Sequence, residues 1–160
     1  MNMTKNDLPE SIRARMIETL NQRLADSIAL QTQAKQSHWN VKGPNFIGLH
    51  KLFDEIWEAT LEYSDLIAER VVQLGGVAEG TARIAAQRTQ LEPYPMDILS
   101  GRDHCEALSS ALAVFGKAVR RGIDEADQAV DKGTADIYTE ISRGVDKWLW
   151  FVEAHLHANA

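Results

Sequence analysis

Apolar residues recur along this chain at steps of three and four and never in sustained alternation, a pattern that predicts helices and no strands. Ile12, Met16, Leu20, Leu24 and Ile28 repeat every fourth residue. They predict a first helix from about Pro9 to His38, with Asn6 or Asp7 as its cap and Pro9 in the first turn. Gly43-Pro44 stops it. Leu49, Leu52, Phe53, Ile56, Ala59, Tyr63, Leu66 and Ile67 form the core face of a second helix, about Asn45 to Leu74, ended by Gly75-Gly76. Cys105, Leu108, Leu112, Phe115 and Val119 predict a third, over about Met96 to Asp124. The fourth opens with Thr134 as its cap and Asp136 in its first turn, and continues through Ile137, Ile141, Val145, Trp148, Val152 and Leu156.

The connections predict the topology. Short first and third links make each flanking pair of helices antiparallel neighbours. The middle link, Gly75 to Pro95, is long enough to return the third helix parallel to the second, with a short helix predicted at Thr81 to Arg88 on the way. An all-α four-helix bundle with one long crossover is the ferritin-like arrangement. The expected organisation is a short polar tail, residues 1–8, and one domain, residues 9–157.

A chain of 160 residues has room for one sizeable core. Its net charge of −6 argues against general nucleic-acid binding and suits a protein that attracts cations. The first ten residues are polar, with no signal-peptide core, and no run reaches the length of a membrane span. The lone Cys105 cannot form an internal disulfide and reads as a small buried hydrophobe, in keeping with a cytoplasmic location.

The chemistry sits on the second helix. His50 with Asp54, and Asp65 with Glu69, are each spaced four apart, and eleven residues separate Asp54 from Asp65. All four side chains therefore fall on one stripe, where three carboxylates beside apolar surface are costly without a cation. The midpoints of the pairs lie fifteen residues apart, about 22 Å at 1.5 Å per residue, too far for one site within a chain. Either these are two unrelated half-sites, or one site is assembled from two chains. A two-fold axis near Ala59 and Thr60 would set His50 and Asp54 of one subunit against Asp65 and Glu69 of its copy, twice per dimer, with Trp57 and Leu61 supplying apolar contact. His38, folded back from the first helix, completes a set of two nitrogens and three oxygens suited to iron, manganese or zinc. The plainer alternative is a solvated face, which is how Glu55, Glu58 and Glu62 read.

Ser37-His38-Trp39-Asn40-Val41-Lys42-Gly43, Asn45-Phe46, His50-Lys51-Leu52-Phe53-Asp54, Asp65-Leu66-Ile67-Ala68-Glu69-Arg70, Val72-Gln73-Leu74-Gly75-Gly76, Tyr94-Pro95 and Asp146-Lys147-Trp148-Leu149-Trp150-Phe151 together resemble the Dps family, the DNA-binding proteins from starved cells. The resemblance covers nearly the whole chain. It implies a hollow dodecamer that oxidises Fe(II), preferably with hydrogen peroxide rather than O2, and stores ferric mineral. It also implies ferroxidase ligands at His38, His50 and Asp54 of one subunit and Asp65 and Glu69 of its two-fold mate. Trp39 matches a family aromatic beside the site, either a radical interceptor or simple packing. DNA association, the basis for placing relatives at the nucleoid, is expected to be weak or absent here. Before Pro9 the only cation is Lys5, and no Lys or Arg follows Glu153.

Asp124, Glu125, Asp127 and Asp131 cluster near the predicted turn between the last two helices and read either as pore-lining acids or as a solvated turn. His155 and His157 read as an ordinary frayed end, His104 as structural, and Trp148 and Trp150 as core and subunit packing. An intrachain di-iron protein needs Glu-x-x-His motifs, and no histidine here has a Glu three residues before it. The remaining alternative is a non-enzymatic nucleoid assembly whose metal site is structural or holds zinc.

Overall fold

The computed structural model describes residues 1–157, which form five helices: α1 Glu10–Asn40, α2 Phe46–Gln73, α3 Ala82–Arg88, α4 Gly101–Gln128 and α5 Lys132–Ala154. α1 packs on α2 and α4, and α5 packs on α4 and α2, closing a four-helix ring. Lys42, just after α1, bridges to Ser100, just before α4. Arg70, late in α2, meets Asp131 at the start of α5. Those two contacts fix the directions: α4 runs parallel to α2, returned there by the crossover that carries α3. Among the described residues no helix is long and apolar enough to cross a membrane.

The ring closes around Leu20, Phe53, Ile56, Ile67, Leu108, Leu112, Phe115, Val119, Tyr138 and Ile141, all fully buried. Each such side chain contributes roughly 1.5–3 kcal/mol of burial. Cys105 is buried among them, and its thiol is pushed up to about 11 by desolvation. α1 differs from the other helices in how many polar residues it buries. Asn21 donates to the Val77 carbonyl at 3.1 Å, Gln22 to the Arg88 carbonyl at 2.7 Å and Gln33 to the Glu92 carbonyl at 2.9 Å. Asp26, 1 % exposed, accepts from the Gln90 N–H at 2.7 Å. These side chains supply partners for a crossover whose own backbone has few (an unpaired buried amide is expensive).

Helix ends depart from the sequence expectation where side-chain chemistry overrode periodicity. Pro9, rather than Asn6 or Asp7, occupies the α1 cap, with no side-chain bond there. α4 starts at Gly101, because Ser100 accepts from the Asp103 N–H and caps it, and it continues past Asp124 to Gln128. α5 starts two residues before Thr134, capped by Asp131, which accepts from the Thr134 N–H at 3.0 Å; Asp136 thus lies beyond the first turn. Gly75-Gly76 ends the second helix as expected. Gly75, at φ +89°, donates to Val72, and Gly76 donates to Val71, the paired bonds of a Schellman turn.

Candidate metal centre

The centre begins with an unfinished helix end. The His38 carbonyl would ordinarily receive the Lys42 N–H, but that N–H donates to the Leu99 carbonyl at 3.0 Å. His50 Nδ1 takes its place, donating to the His38 carbonyl at 2.9 Å, while His38 Nδ1 donates to the His50 carbonyl at 2.7 Å. The two rings stack with centroids 3.7 Å apart. Carbonyls only accept, so in the neutral rings both Nδ1 atoms hold the proton and both Nε2 atoms keep a lone pair. A second hydrogen bond that fixes the tautomer in this way is what a metal-ligating histidine requires.

Asp54 follows one turn after His50, with its Oδ1 3.7 Å from His38 Nδ1. Lys35 donates to the same Oδ1 and lies over the Trp57 ring, 3.9 Å from its centroid. The Lys35 hydrogen bond, aided by the Lys35 charge, holds the Asp54 carboxyl below the usual range against partial desolvation. The sequence reading missed Lys35. The available signal was its spacing: it stands three residues before His38, on the same side of α1. Gly101 brings α4 close to this corner, since a Cβ there would meet Leu49 Cδ1 at 2.6 Å.

Asp65 and Glu69 lie farther along the same stripe of α2, both exposed. The chain therefore brings His38, His50 and Asp54 together and leaves Asp65 and Glu69 apart from them. Among the described residues no three His, Cys, Asp or Glu side chains converge on a point suited to a metal. Trp39, beside His38, is 66 % exposed, so it packs into no core within the chain. Leu61 is exposed and Trp57 half-buried on the stripe, but Thr60 is fully buried and faces α1, where its carbonyl accepts from Ser27. Thr60 thus faces inward, away from the outer face on which the expected two-fold axis would lie.

The acidic cluster also resolves. Asp124, Glu125 and Asp127 belong to α4, and Asp131 is 1 % exposed, held by Arg70 at 2.6 Å and by its capping bonds. Asp131 is structural and lines no opening. Glu55, Glu58 and Glu62 are exposed, as are His155 and His157 past the end of α5. Trp148 is buried, whereas Trp150 is 66 % exposed.

Comparison with known proteins identifies the family. The profile of the ferritin-like domain family matches residues 17–159. The DNA protection during starvation protein of Agrobacterium fabrum is 46% identical over 153 residues, covering 96% of this chain and 94% of that one. The structure of Dps from Microbacterium arborescens in a high-iron form superposes with a TM-score of 0.87 at 32% identity, covering 96% of this chain and 98% of that chain. Dps from Mycobacterium smegmatis gives a TM-score of 0.92 at 28% identity, over 97% and 94%. The chain thus belongs to the ferritin-like domain family and, within it, to the Dps proteins.

Proposed function

We propose that this chain is a Dps-type mini-ferritin that oxidises Fe(II), preferentially with hydrogen peroxide, at sites shared between subunits and stores the ferric product inside a hollow dodecamer. The observation that carries the reading is the reciprocal His38–His50 pair, which leaves two nitrogen lone pairs beside Asp54. Fe(II) and Fe(III) are substrate and cargo here. The two imidazoles and Asp54 of one subunit, with Asp65 and Glu69 of another, make the N2O3 donor set. Its carboxylates favour the more highly charged ferric ion and so pull oxidation forward. Zinc and manganese are expected to compete for the same donors.

Two Fe(II) ions supply the two electrons that take H2O2, with two protons, to two waters. Paired oxidation of this kind releases no hydroxyl radical, so protection of DNA follows from the iron chemistry. Direct DNA binding is expected to be weak or absent: the chain carries a net charge of −6, and the Asn2 N–H is tied to the Gly75 carbonyl at 2.7 Å. No plasmid gel shift is expected at neutral pH and moderate salt.

The shared site is tested by complementation. His50→Ala and Asp65→Ala homo-oligomers each lack one ligand, on opposite sides of the interface, in every site. In a mixed dimer, the intact His50 of one meets the intact Asp65 of the other, rebuilding one site of two. Statistical reassembly of the two inactive variants is therefore expected to restore about a quarter of the wild-type ferroxidase rate. Two variants that retain full rate, or a mixture that restores none, would count against the assignment.

A further inference from the structure

A second carbonyl at the end of α1 also lacks its helical donor. Asn40 is followed four residues later by Pro44, which has no N–H. The imidazole of His104 faces that carbonyl from α4. His104 is 1 % exposed, and its Nε2 is buried without closing a hydrogen bond of normal geometry. At the other side of the ring, Nδ1 lies 2.6 Å from Tyr94 Oη, which lies 2.8 Å from Ser37 Oγ. Ser37 is fully buried, and its Oγ is also 2.9 Å from the Gln33 carbonyl.

This chain of hydroxyls can run in two senses. If Ser37 donates to Gln33, Tyr94 must donate to Ser37 and His104 Nδ1 to Tyr94, which leaves a bare Nε2 lone pair against the Asn40 carbonyl. In the reverse sense Ser37 donates to Tyr94, Tyr94 to His104 Nδ1, and Nε2–H points at Asn40. Only the second sense gives the orphaned carbonyl a donor, and Gln33 gives up only an extra bond, since the Ser37 N–H still serves its carbonyl as in any helix. Burial keeps the ring neutral, with a single ring proton to place.

We propose that Tyr94 and His104 are positioning residues for the metal centre, fixing the last turn of α1 from behind so that the His38 carbonyl holds the His50 ring. The inference rests on the metal-site reading above. Gln33, Ser37 and Asn40 recur at steps of four and three and so share one face of α1, and all three meet the crossover or α4 there. Lys35 and His38 lie on a different face of the same turns. The turn is thus gripped on one side and carries ligand chemistry on another. The His38 carbonyl orients His50, so a small shift of this turn misaims both imidazoles; catalytic constellations tolerate about 0.5 Å. Dense packing does not hold Tyr94 in place. Its ring borders a cavity of about 200 Å³ shared with Gln33, Leu91, Ala111 and Val114, so its two hydroxyl contacts, with stacking on the His104 ring at 6.0 Å, fix it.

Cobalt(II) titration of the assembled, iron-free protein, read by its visible d–d absorption, tests this without turnover. The site signal is defined as the part lost in His50→Ala. Tyr94→Phe, which removes only the hydroxyl, is expected to weaken Co(II) binding about tenfold and alter the band shape. His104→Gln, which retains an amide donor for Asn40, is expected to retain more affinity than His104→Ala. Ser110→Ala, lining the same cavity away from the hydrogen-bond chain, is expected to bind as wild type. A melting temperature that falls in Tyr94→Phe while Co(II) affinity and spectrum stay at wild type would reduce the pair to a structural role and overturn the proposal. A Co(II) spectrum and affinity left undiminished by His50→Ala, so that no site signal can be defined, would instead sink the metal-site reading and this inference with it.

Discussion

The two ends of the bundle solve one problem with different chemistry. Both must satisfy the backbone groups left over where helices stop. At the end where α1 finishes and α2 begins, an imidazole does it: His50 serves the His38 carbonyl, while His104 faces that of Asn40 without closing a normal bond to it. At the opposite end a buried ion pair does it, with Asp131 capping α5 and gripping Arg70 of α2. A neutral imidazole that spends one nitrogen on a carbonyl keeps the other for a metal. A carboxylate spent on both a cap and an arginine has nothing left. Chemistry is therefore available at the first end, whereas at the second the acid that belongs to the fold is locked and the free acids, Asp65 and Glu69, stand out on the surface of α2.

The largest effect is expected from breaking the locked end. Asp131→Ala removes the α5 cap and strands Arg70, whose side chain is 13% exposed. The loss is expected to be about 3–5 kcal/mol, mostly the cost of an unpaired, nearly buried charge. Chemical denaturation of the assembled protein measures it. Co(II) affinity of the molecules that remain folded should be unchanged, because the histidine end is built from other groups. A weakened metal site would show that the two ends are not independent.

The second contrast lies along α2. His50→Ala and Asp65→Ala are both expected to reduce peroxide-driven Fe(II) oxidation by about a hundredfold or more, since loss of a ligand should exceed loss of a supporting contact. Their stabilities should differ. His50→Ala deletes the donor to the His38 carbonyl and should cost about 1 kcal/mol. Asp65 is exposed, and its replacement should stay within about 0.5 kcal/mol. Equal stability losses would mean that Asp65 is held by contacts of its own.

This asymmetry also marks how far the sequence could be read. Helix count, the crossover and the short α3 were legible because apolar spacing reports burial directly. The i, i+4 spacing of His50 with Asp54 was legible for the same reason, and His38 followed from the short connection. What periodicity could not carry was the polar interior of α1: Asn21, Asp26, Gln33 and Ser37 look like solvent-facing residues until the crossover lies over them. Lys35 was lost in the same way, as one more helical lysine, and Asp131 looked like a turn acid because its partner Arg70 is sixty-one residues away. Long-range polar pairing has no period, so the caps and clasps had to come from the structure.

Lys35 offers a smaller and more directional test. Its ammonium sits on Asp54 where a metal would need the carboxylate, and it holds that carboxyl below the usual range. Lys35→Gln removes a competing cation and is expected to raise Co(II) affinity several-fold at pH 7, up to about tenfold. The sign reverses in acid. In the wild type Asp54 stays ionised to lower pH, and the stability this contributes is present above the unfolded carboxyl value and lost as pH falls through the lowered one. In Lys35→Gln the carboxyl protonates earlier, so the acid limb of metal binding should move to higher pH. An unchanged acid limb would mean that Lys35 does not control Asp54.

The smallest expected effect returns to the locked end and has the opposite direction. Val130, between α4 and the Asp131 cap, has φ +60°, and its N–H and that of Asp131 close the same paired bonds that Gly75 and Gly76 close after α2. Glycine takes this conformation freely, whereas a β-branched residue pays roughly 1–2 kcal/mol for it. Val130 is 71 % exposed, so truncation forfeits little packing. The added freedom of glycine in the unfolded chain offsets part of the gain, by about 0.5–1 kcal/mol. Val130→Gly is therefore expected to stabilise the protein by about 0.5–1 kcal/mol, seen as a rise of roughly 1–4 °C in melting temperature. The same replacement one residue earlier, Ala129→Gly, at φ −80° and nearly buried, should destabilise instead. If both lower the melting temperature, Val130 is held by contacts that outweigh its backbone strain, and the two helix ends differ in more than their choice of residue.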